Sequence, residues 1–390
     1  MFFIRPIARE DLPVVLALSE RTGTGLTTLP ADRERLQQRI ERSLASFAGA
    51  ADKSTACYMF VLVEGGSSVA ERVVGISAIE AALGLKEPWY NYHVGTLVHA
   101  SRALNVYTAS PTLFLSNDHT GHTELCSLFL DQRYRIGKNG ALLAKCRLMF
   151  IGEFAELFAP KVIAELRGRL HADGTSPFWE GLGRHFFAME YSAADYLTGL
   201  GQKSFIAELM PKHPVYVNLL PASARDAIGA VHTDSAPARV LLEQEGFRYE
   251  GYVDIFDAGP TLECARENID AIRRSTVMTC TLGEEDPVPD SLTDDILWLV
   301  CNRRFDAFRA LVTAAPARVD RFPLLPYAAV TSARNASKRR LQTSHRMSSV
   351  RLSGTGSSSP SAHGITDARR TASTLSRVHS TVGPASKMST

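Results

Sequence analysis

The sequence predicts an α+β fold: a mixed, mostly antiparallel sheet flanked by helices, then a small C-terminal β-rich module and a disordered tail. Three observations carry this. Short β-rich runs joined by polar loops fill residues 58–121. A strand, a basic glycine-bearing turn and a long helix follow in direct succession between Glu124 and Phe158. Past Tyr327 the composition changes abruptly.

Taken in order, Phe2 to Ile7 reads as an edge strand and Ala8 to Glu20 as a helix with Pro13 near its first turn. Thr22 to Pro30, TGTGLTTLP, reads as a flexible glycine and threonine loop. Leu36, Ile40 and Leu44 recur every four residues, which predicts an amphipathic helix over Asp32 to Phe47. Tyr58 to Val63 and Val73 to Glu80, separated by Gly65, Gly66, Ser67 and Ser68, form a hairpin pattern. Trp89 to Ser101 and Leu104 to Gly121 add strands with polar loops.

The strand ELCSLFL then leads through DQRYRIGKNG into a helix whose apolar Leu142, Leu143, Cys146, Met149 and Phe150 recur at helical spacing. Lys161 to Arg167 is another strand. Ser176 and Pro177 stand as N-cap and first residue of the next helix. Ala236 to Phe247 is a helix stopped by Gly246, and Arg248 to Phe256 a strand. Val277 to Leu282, Leu297 to Cys301 and Phe305 to Val312 are short candidate strands. An antiparallel sheet with a helix crossing between two adjacent strands is the pattern of a GNAT-class acyl-CoA transferase. The division follows: a GNAT-like core over 1–265 with an extension after residue 188, a C-terminal module over 266–326, and a tail over 327–390.

Composition narrows the class. A hydrophobic content of 45% suits a globular protein, and no apolar run approaches the roughly 20 residues that span a bilayer. Charges at Arg5, Arg9 and Glu10 interrupt the apolar start, so no secretory leader is read and a cytoplasmic location is expected. Six scattered cysteines, without a CxxC pair, argue against structural zinc or a disulfide framework; buried thiols and no metal are expected. The formal charge of +2 hides an asymmetry: residues 327–390 hold ten Lys or Arg and one acid, leaving 33 basic and 40 acidic residues before them. Neither a nucleic-acid nor a membrane partner is expected of the body.

The turn between strand and helix offers backbone N–H groups where a helix start lacks internal partners and its dipole favours an anion. Arg133, Arg135 and Lys138 bracket it, Asn139 and Gly140 open the helix, and Gly140 would admit a close ligand. The candidate ligand is a pyrophosphate; the alternative is an ordinary loop with solvated cations. Against the acyltransferase signature Q/R-x-x-G-x-G/A, Arg135 and Gly140 occupy the ends, while Lys138 stands where the first glycine belongs.

Several blocks at once, TGTGLTTLP, EPWYNYHVGTLVHASRALNVY, PTLFLSNDHTGHTELCSLFL, SPFWEGLGRHFF, GQKSFIAELMPKHPVY and DIFDAGPTLEC, resemble the arginine N-succinyltransferase family over roughly Met1 to Pro326. The resemblance implies a GNAT-like fold and transfer of succinyl from succinyl-CoA, as co-substrate, to the α-amine of L-arginine. It associates Leu125 with the succinyl-CoA site and His232 with proton donation. An imidazole with an ordinary pKa near ~6.5 suits an acid or a base; the alternative is that His232 caps the following helix. Asp118, Asn117 and Glu124 are the first candidates for holding the substrate's cation, with Glu80, Asp254 and Asp257 behind them. Ornithine or another cationic amino acid, or a non-catalytic chain paired with a similar one, are the competing functions. A homo-oligomer, or a hetero-oligomer with a similar subunit, is expected. The resemblance stops near Pro326, where a Ser/Arg-rich tail begins that reads as a shifted reading frame.

Overall fold

The computed structural model describes residues 2–273, apart from 24, 67, 68, 202 and 203, together with two strands at 297–301 and 309–313. The strand expected at Val277 to Leu282, the rest of the C-terminal module and the tail lie outside the described residues.

The strands are β1 (Phe2–Pro6), β2 (Cys57–Gly66), β3 (Val69–Glu80), β4 (Asn91–Ser101), β5 (Val106–Ser116), β6 (Thr123–Leu130), β7 (Lys161–Glu165), β8 (Val215–Tyr216), β9 (Arg248–Val253), β10 (Pro260–Ala265), β11 (Leu297–Cys301) and β12 (Arg309–Thr313). The α-helices are α1 (Leu12–Ser19), α2 (Arg33–Phe47), α3 (Asn139–Glu153), α4 (Arg184–Phe187), α5 (Tyr191–Gly199), α6 (Ser204–Leu209), α7 (Ala222–Arg225), α8 (Ala236–Gln244) and α9 (Asp270–Arg273).

The strands form one sheet in the order β12-β11-β1-β2-β3-β6-β7-β10-β9-β4-β5-β8. Neighbours pair antiparallel except β6 and β7, which are parallel and meet only at Thr123 with Val162 and Glu124 with Ile163. Beyond Glu124 the two strands part, and the long helix α3 crosses between them. This is the α+β, GNAT-like arrangement the sequence predicts. Of the C-terminal candidate strands, β11 pairs with β1 and β12 with β11, at the β1 edge of the sheet.

Two apolar layers sandwich the first half of the sheet. On one face Leu142, Leu143, Cys146, Met149 and Phe150 of α3 pack on Tyr58, Phe60, Leu62 and Val74. On the other, Val15, Leu36 and Ile40 from α1 and α2 cover Met59, Val61 and Ile76. Helix α2 begins at Asp32, whose carboxylate accepts the Arg35 N–H at 2.8 Å; such a cap is worth about 1 kcal/mol. Helix α3 is buried well beyond the predicted stripe, with Ala144, Arg147, Leu148 and Ile151 also inside. A helix covered nearly all round cannot show a clean amphipathic period.

A third layer holds the second half of the sheet, where Tyr92, Leu113 and Val253 meet Phe178, Trp179 and Tyr191. Ser176 caps its helix as the sequence predicts, accepting the Trp179 N–H at 3.1 Å, although the following turns are π-helical over Trp179–Gly183. Cys57, Cys126, Cys146 and Cys264 are free and buried. No helix of the described residues is long and apolar enough to cross a membrane.

Candidate active site

Where β6 and β7 part, a cavity of about 960 Å³ opens, and the basic turn stands at one part of its wall. Strand β6 bends there because Ser127 adopts a left-handed φ of 52° and the β3 register shifts alongside it. The bend is held from three sides. Ser127 donates its N–H to Thr28 Oγ1 at 3.1 Å and its hydroxyl to Thr28 O at 2.8 Å. Arg39 donates to Ser127 Oγ at 2.9 Å, and buried Arg147 donates to Cys126 O at 3.1 Å. The Thr22 to Pro30 loop, read from sequence as flexible, is therefore a packed wall of the cavity.

The turn itself runs from Asp131 to Lys138. Gly137 and Lys138 are both left-handed, with φ of 57° and 63°. The position that the acyltransferase signature gives to glycine thus keeps glycine's conformation while carrying a lysine. A side chain in that region costs roughly 1–2 kcal/mol, less the entropic cost of glycine itself. Lys138→Gly is expected to stabilise the fold by about 0.5–1 kcal/mol, read as a higher midpoint of thermal unfolding. Gly140 is different: a methyl there would touch only Leu130 Cδ2 at 3.8 Å, so packing does not require its glycine.

Of the predicted phosphate-site residues, Leu125, Arg135, Lys138, Asn139 and Gly140 line the cavity. Arg135 Nε donates to Leu130 O at 3.1 Å, and Asn139 Nδ2 to Tyr134 O at 3.1 Å, so both brace the turn. Arg133 is not on the cavity wall. Its guanidinium points back to Asp131 at 2.8 Å, and Asp131 also takes Arg21; the Arg133 hydrogen bond above all holds that carboxyl down at about 2. The pair secures the turn's entry and leaves Arg133 no part in the lining.

The substrate-side residues divide in the same way. Glu124 lines the cavity; Asn117 and Asp118 do not. Asp118 accepts the Tyr252 hydroxyl at 2.9 Å, and Asn117 O takes the Thr120 hydroxyl at 2.7 Å, so this loop is a self-contained turn. Glu80 faces the cavity but is ion-paired with Arg39 and Arg42. Asp257 is occupied by the Gly168 and Gly259 amides, both at 2.8 Å.

A further acidic group on the cavity wall is Asp195 with Asp254 and Asp257. Burial, together with the Asp254 charge, pushes the Asp195 carboxyl up to about 6. Burial raises Asp254 and Asp257 as well, and the Asp254 charge pushes Asp257 further up. Asp195 Oδ2 accepts the Gly25 N–H at 2.9 Å. Its helix, YSAADYL, carries no signal of a site, and sequence reasoning misses it. Arg167 stands beside this group, and its Nε finds no hydrogen-bond partner among the described residues.

The loop that poses these carboxylates depends on Gly259, where a methyl would sit 2.0 Å from Leu166 O. Gly259→Ala is expected to lower stability by about 1–3 kcal/mol and to displace Asp254 and Asp257, checked by thermal unfolding.

His232 is beside the cavity, next to lining residues Asp234 and Ser235. Its N–H donates to Arg167 O at 2.8 Å, which pins it near the end of β7. Its Nδ1 accepts the Asp234 N–H at 3.1 Å, so it does cap the short turn that follows. Burial and then the Arg167 charge lower its pKa. With Nδ1 an acceptor, the neutral ring carries its proton on Nε2. Capping and proton donation alternate: the ring donates a proton from Nε2 only as the imidazolium, in which Nδ1 is protonated and the cap is released.

A second histidine group lies off the cavity. His119 Nδ1 meets Asn91 Nδ2 at 2.9 Å, and His119 Nε2 is 3.7 Å from Glu263, with His122 adjacent. The three have metal-ligand spacing, but Lys161 already neutralises Glu263 at 2.9 Å. Burial lowers His119 to about 4, and His119 Nε2 and His122 Nδ1 are buried without a hydrogen-bond partner among the described residues.

The arginine N-succinyltransferase beta subunit family (AstA) matches residues 2–271. Arginine N-succinyltransferase of Enterobacter sp. (strain 638) is 54% identical over 315 residues, covering 80% of this chain and 88% of that protein. The enzyme of that name from Yersinia pseudotuberculosis is 51% identical over 331 residues, covering 84% and 93%. Among solved structures, arginine/ornithine succinyltransferase subunit AI from Pseudomonas aeruginosa superimposes with a TM-score of 0.67 at 36% identity, covering 73% of this chain and 83% of that one. A split β6–β7 pair over a basic turn, joined to matches of this length, shows that the chain belongs to the arginine N-succinyltransferase family.

Proposed function

We propose that this chain transfers the succinyl group of succinyl-CoA to the α-amine of L-arginine, giving N2-succinylarginine and CoA. The observation that carries the reading is one continuous cavity, lined at once by the Arg135–Gly140 turn and by the Asp195 carboxylate group. The first suits a diphosphate and the second a guanidinium.

In this reading the amides at the start of α3 hold the CoA diphosphate, and the Lys138 ammonium adds a direct charge. The pantetheine arm enters between β6 and β7 and pairs with the β6 main chain past Leu125, as an added strand would. Asp195 receives the substrate's guanidinium, with Asp254 behind it. Arg167 takes a substrate carboxylate.

The α-amine, once deprotonated, attacks the thioester carbonyl; the C–N bond forms as the C–S bond breaks. The proton shed by the amine passes to the His232 ring, and the resulting imidazolium gives a proton from Nε2 to the departing sulfur.

The test is a thiol-release assay with succinyl-CoA and acetyl-CoA against arginine, ornithine and lysine. Arginine-dependent release that favours succinyl-CoA is expected. Release with ornithine at an equal rate would move the substrate assignment, and none with any amine would leave a chain without its own activity.

A further inference from the structure

The turn between β5 and β6 brings two imidazoles side by side. The His122 N–H donates to His119 O at 3.0 Å across the left-handed Gly121, and the ring centroids stand 5.4 Å apart. Strand β10 completes the group: Glu263 lies 3.7 Å from His119 Nε2, and one donor atom from each of His119, His122 and Glu263 lies within 4.8 Å of the other two. None of the three lines the cavity.

Hydrogen bonding leaves this group incomplete. His119 is 1% exposed, and its Nε2, with His122 Nδ1 and Asn91 Oδ1, is buried without a hydrogen-bond partner among the described residues. Buried polar atoms are ordinarily paired, so three orphans in one group call for a further species. A lone pair on a neutral imidazole nitrogen is what a metal ion takes. Asn91 fits the same reading. Its amide meets His119 Nδ1 at 2.9 Å, and with the carboxamide turned over, Oδ1 accepts the Nδ1 proton. The Nε2 lone pair then faces Glu263, with the outer-shell support usual for a metal-binding histidine.

We propose that His119, His122 and Glu263 bind one divalent, borderline-soft cation, zinc foremost, which ties the turn before β6 to β10. Two imidazoles and a carboxylate, with a fourth position left to water, form a donor set that zinc accepts, whereas magnesium and calcium ask for oxygen ligands. Tetrahedral bonds of about 2.0–2.2 Å put neighbouring donors roughly 3.4 Å apart, so the 3.7 Å pair is nearly in place and side-chain rotation closes the rest. Lys161 is the competitor. It holds Glu263 at 2.9 Å, but its side chain is 50% exposed, and it swings into solvent when the cation takes the carboxylate. His122 and Glu263 are only partly buried, which gives the ion its way in. The expectation of no metal rested on cysteine spacing, and this donor set contains no cysteine.

Isothermal titration of zinc into the full chain, first dialysed against a chelator, tests this, with magnesium as the control. The parent is expected to take up one equivalent of zinc that His122→Asn lacks, and no magnesium at the same concentration. Glu263→Gln should weaken that equivalent about 10²-fold or more, and Lys161→Ala, which removes the competing ammonium, should tighten it several-fold. Zinc should also raise the thermal transition of the parent and leave that of His122→Asn unchanged. Should His122→Asn fold poorly, the Lys161→Ala comparison decides. No equivalent taken up by the parent, or zinc held equally by the parent, His122→Asn and Lys161→Ala, would overturn the proposal.

Discussion

Asp195→Asn is expected to raise the KM for arginine by roughly 30-fold or more while leaving the KM for succinyl-CoA near its parent value. The asparagine can keep the Gly25 hydrogen bond through its amide oxygen, so the cavity wall stays in place and only the charge is lost. Removing one partner of a buried ion pair costs about 2–5 kcal/mol, and each ~1.4 kcal/mol is a factor of ten.

The pH dependence of the same parameter provides a separate check. With its carboxyl raised to about 6, Asp195 is neutral below that pH and ionised above it. A guanidinium prefers the ionised form, so arginine affinity should improve as pH rises through about 6. Bound cation in turn lowers the carboxyl's pKa in the complex. In Asp195→Asn this limb should be flat. Steady-state KM against pH for both proteins measures it, and an unchanged limb in the variant would remove Asp195 from recognition.

His232→Ala should lower kcat by about 10²-fold or more, the scale of a positioned acid or base, with little change in KM. The variant also loses the Asp234 N–H to Nδ1 bond, a cap worth about 1 kcal/mol, so a modest fall in stability should accompany it. His232→Asn separates the two effects, because asparagine is a good cap but no proton donor at neutral pH. A variant that regains stability without regaining rate assigns the loss to chemistry. Full activity in either variant would leave His232 a cap alone.

How much of this could be read in the sequence depended on whether the signal was local. Asp32 and Ser176 sit where capping chemistry puts them, and Gly246 takes the positive φ of 100° that ends α8. The turn was legible because strand, glycine, cations and helix stand consecutively. The signature's missing glycine was legible as a departure, but only the backbone explains it, since Lys138 adopts the left-handed conformation itself.

The substrate end was much less legible. Asp195 comes from one helix, Asp254 and Asp257 from a loop after β9, and Gly25 from the N-terminal loop, so only folding brings them together. Asn117 and Asp118 looked suitable because polar residues between apolar runs often face a site. Here Asn117 bonds within the loop and Asp118 to Tyr252, and neither lines the cavity. Arg133 looked like a phosphate ligand for its charge; Asp131, two residues earlier, had already claimed it. Arg147 is invisible as a buried cation when its helix is read as a simple amphipathic stripe.

The central claim is that the bend ending at Gly140 holds the diphosphate of CoA, with the acyl arm lying between β6 and β7. A crystal structure of the chain with CoA tests it most directly. The account predicts diphosphate oxygens within hydrogen-bonding distance of the amides at the start of α3 and the pantetheine alongside β6. The nucleotide bound elsewhere, with this turn closed by protein, would contradict it.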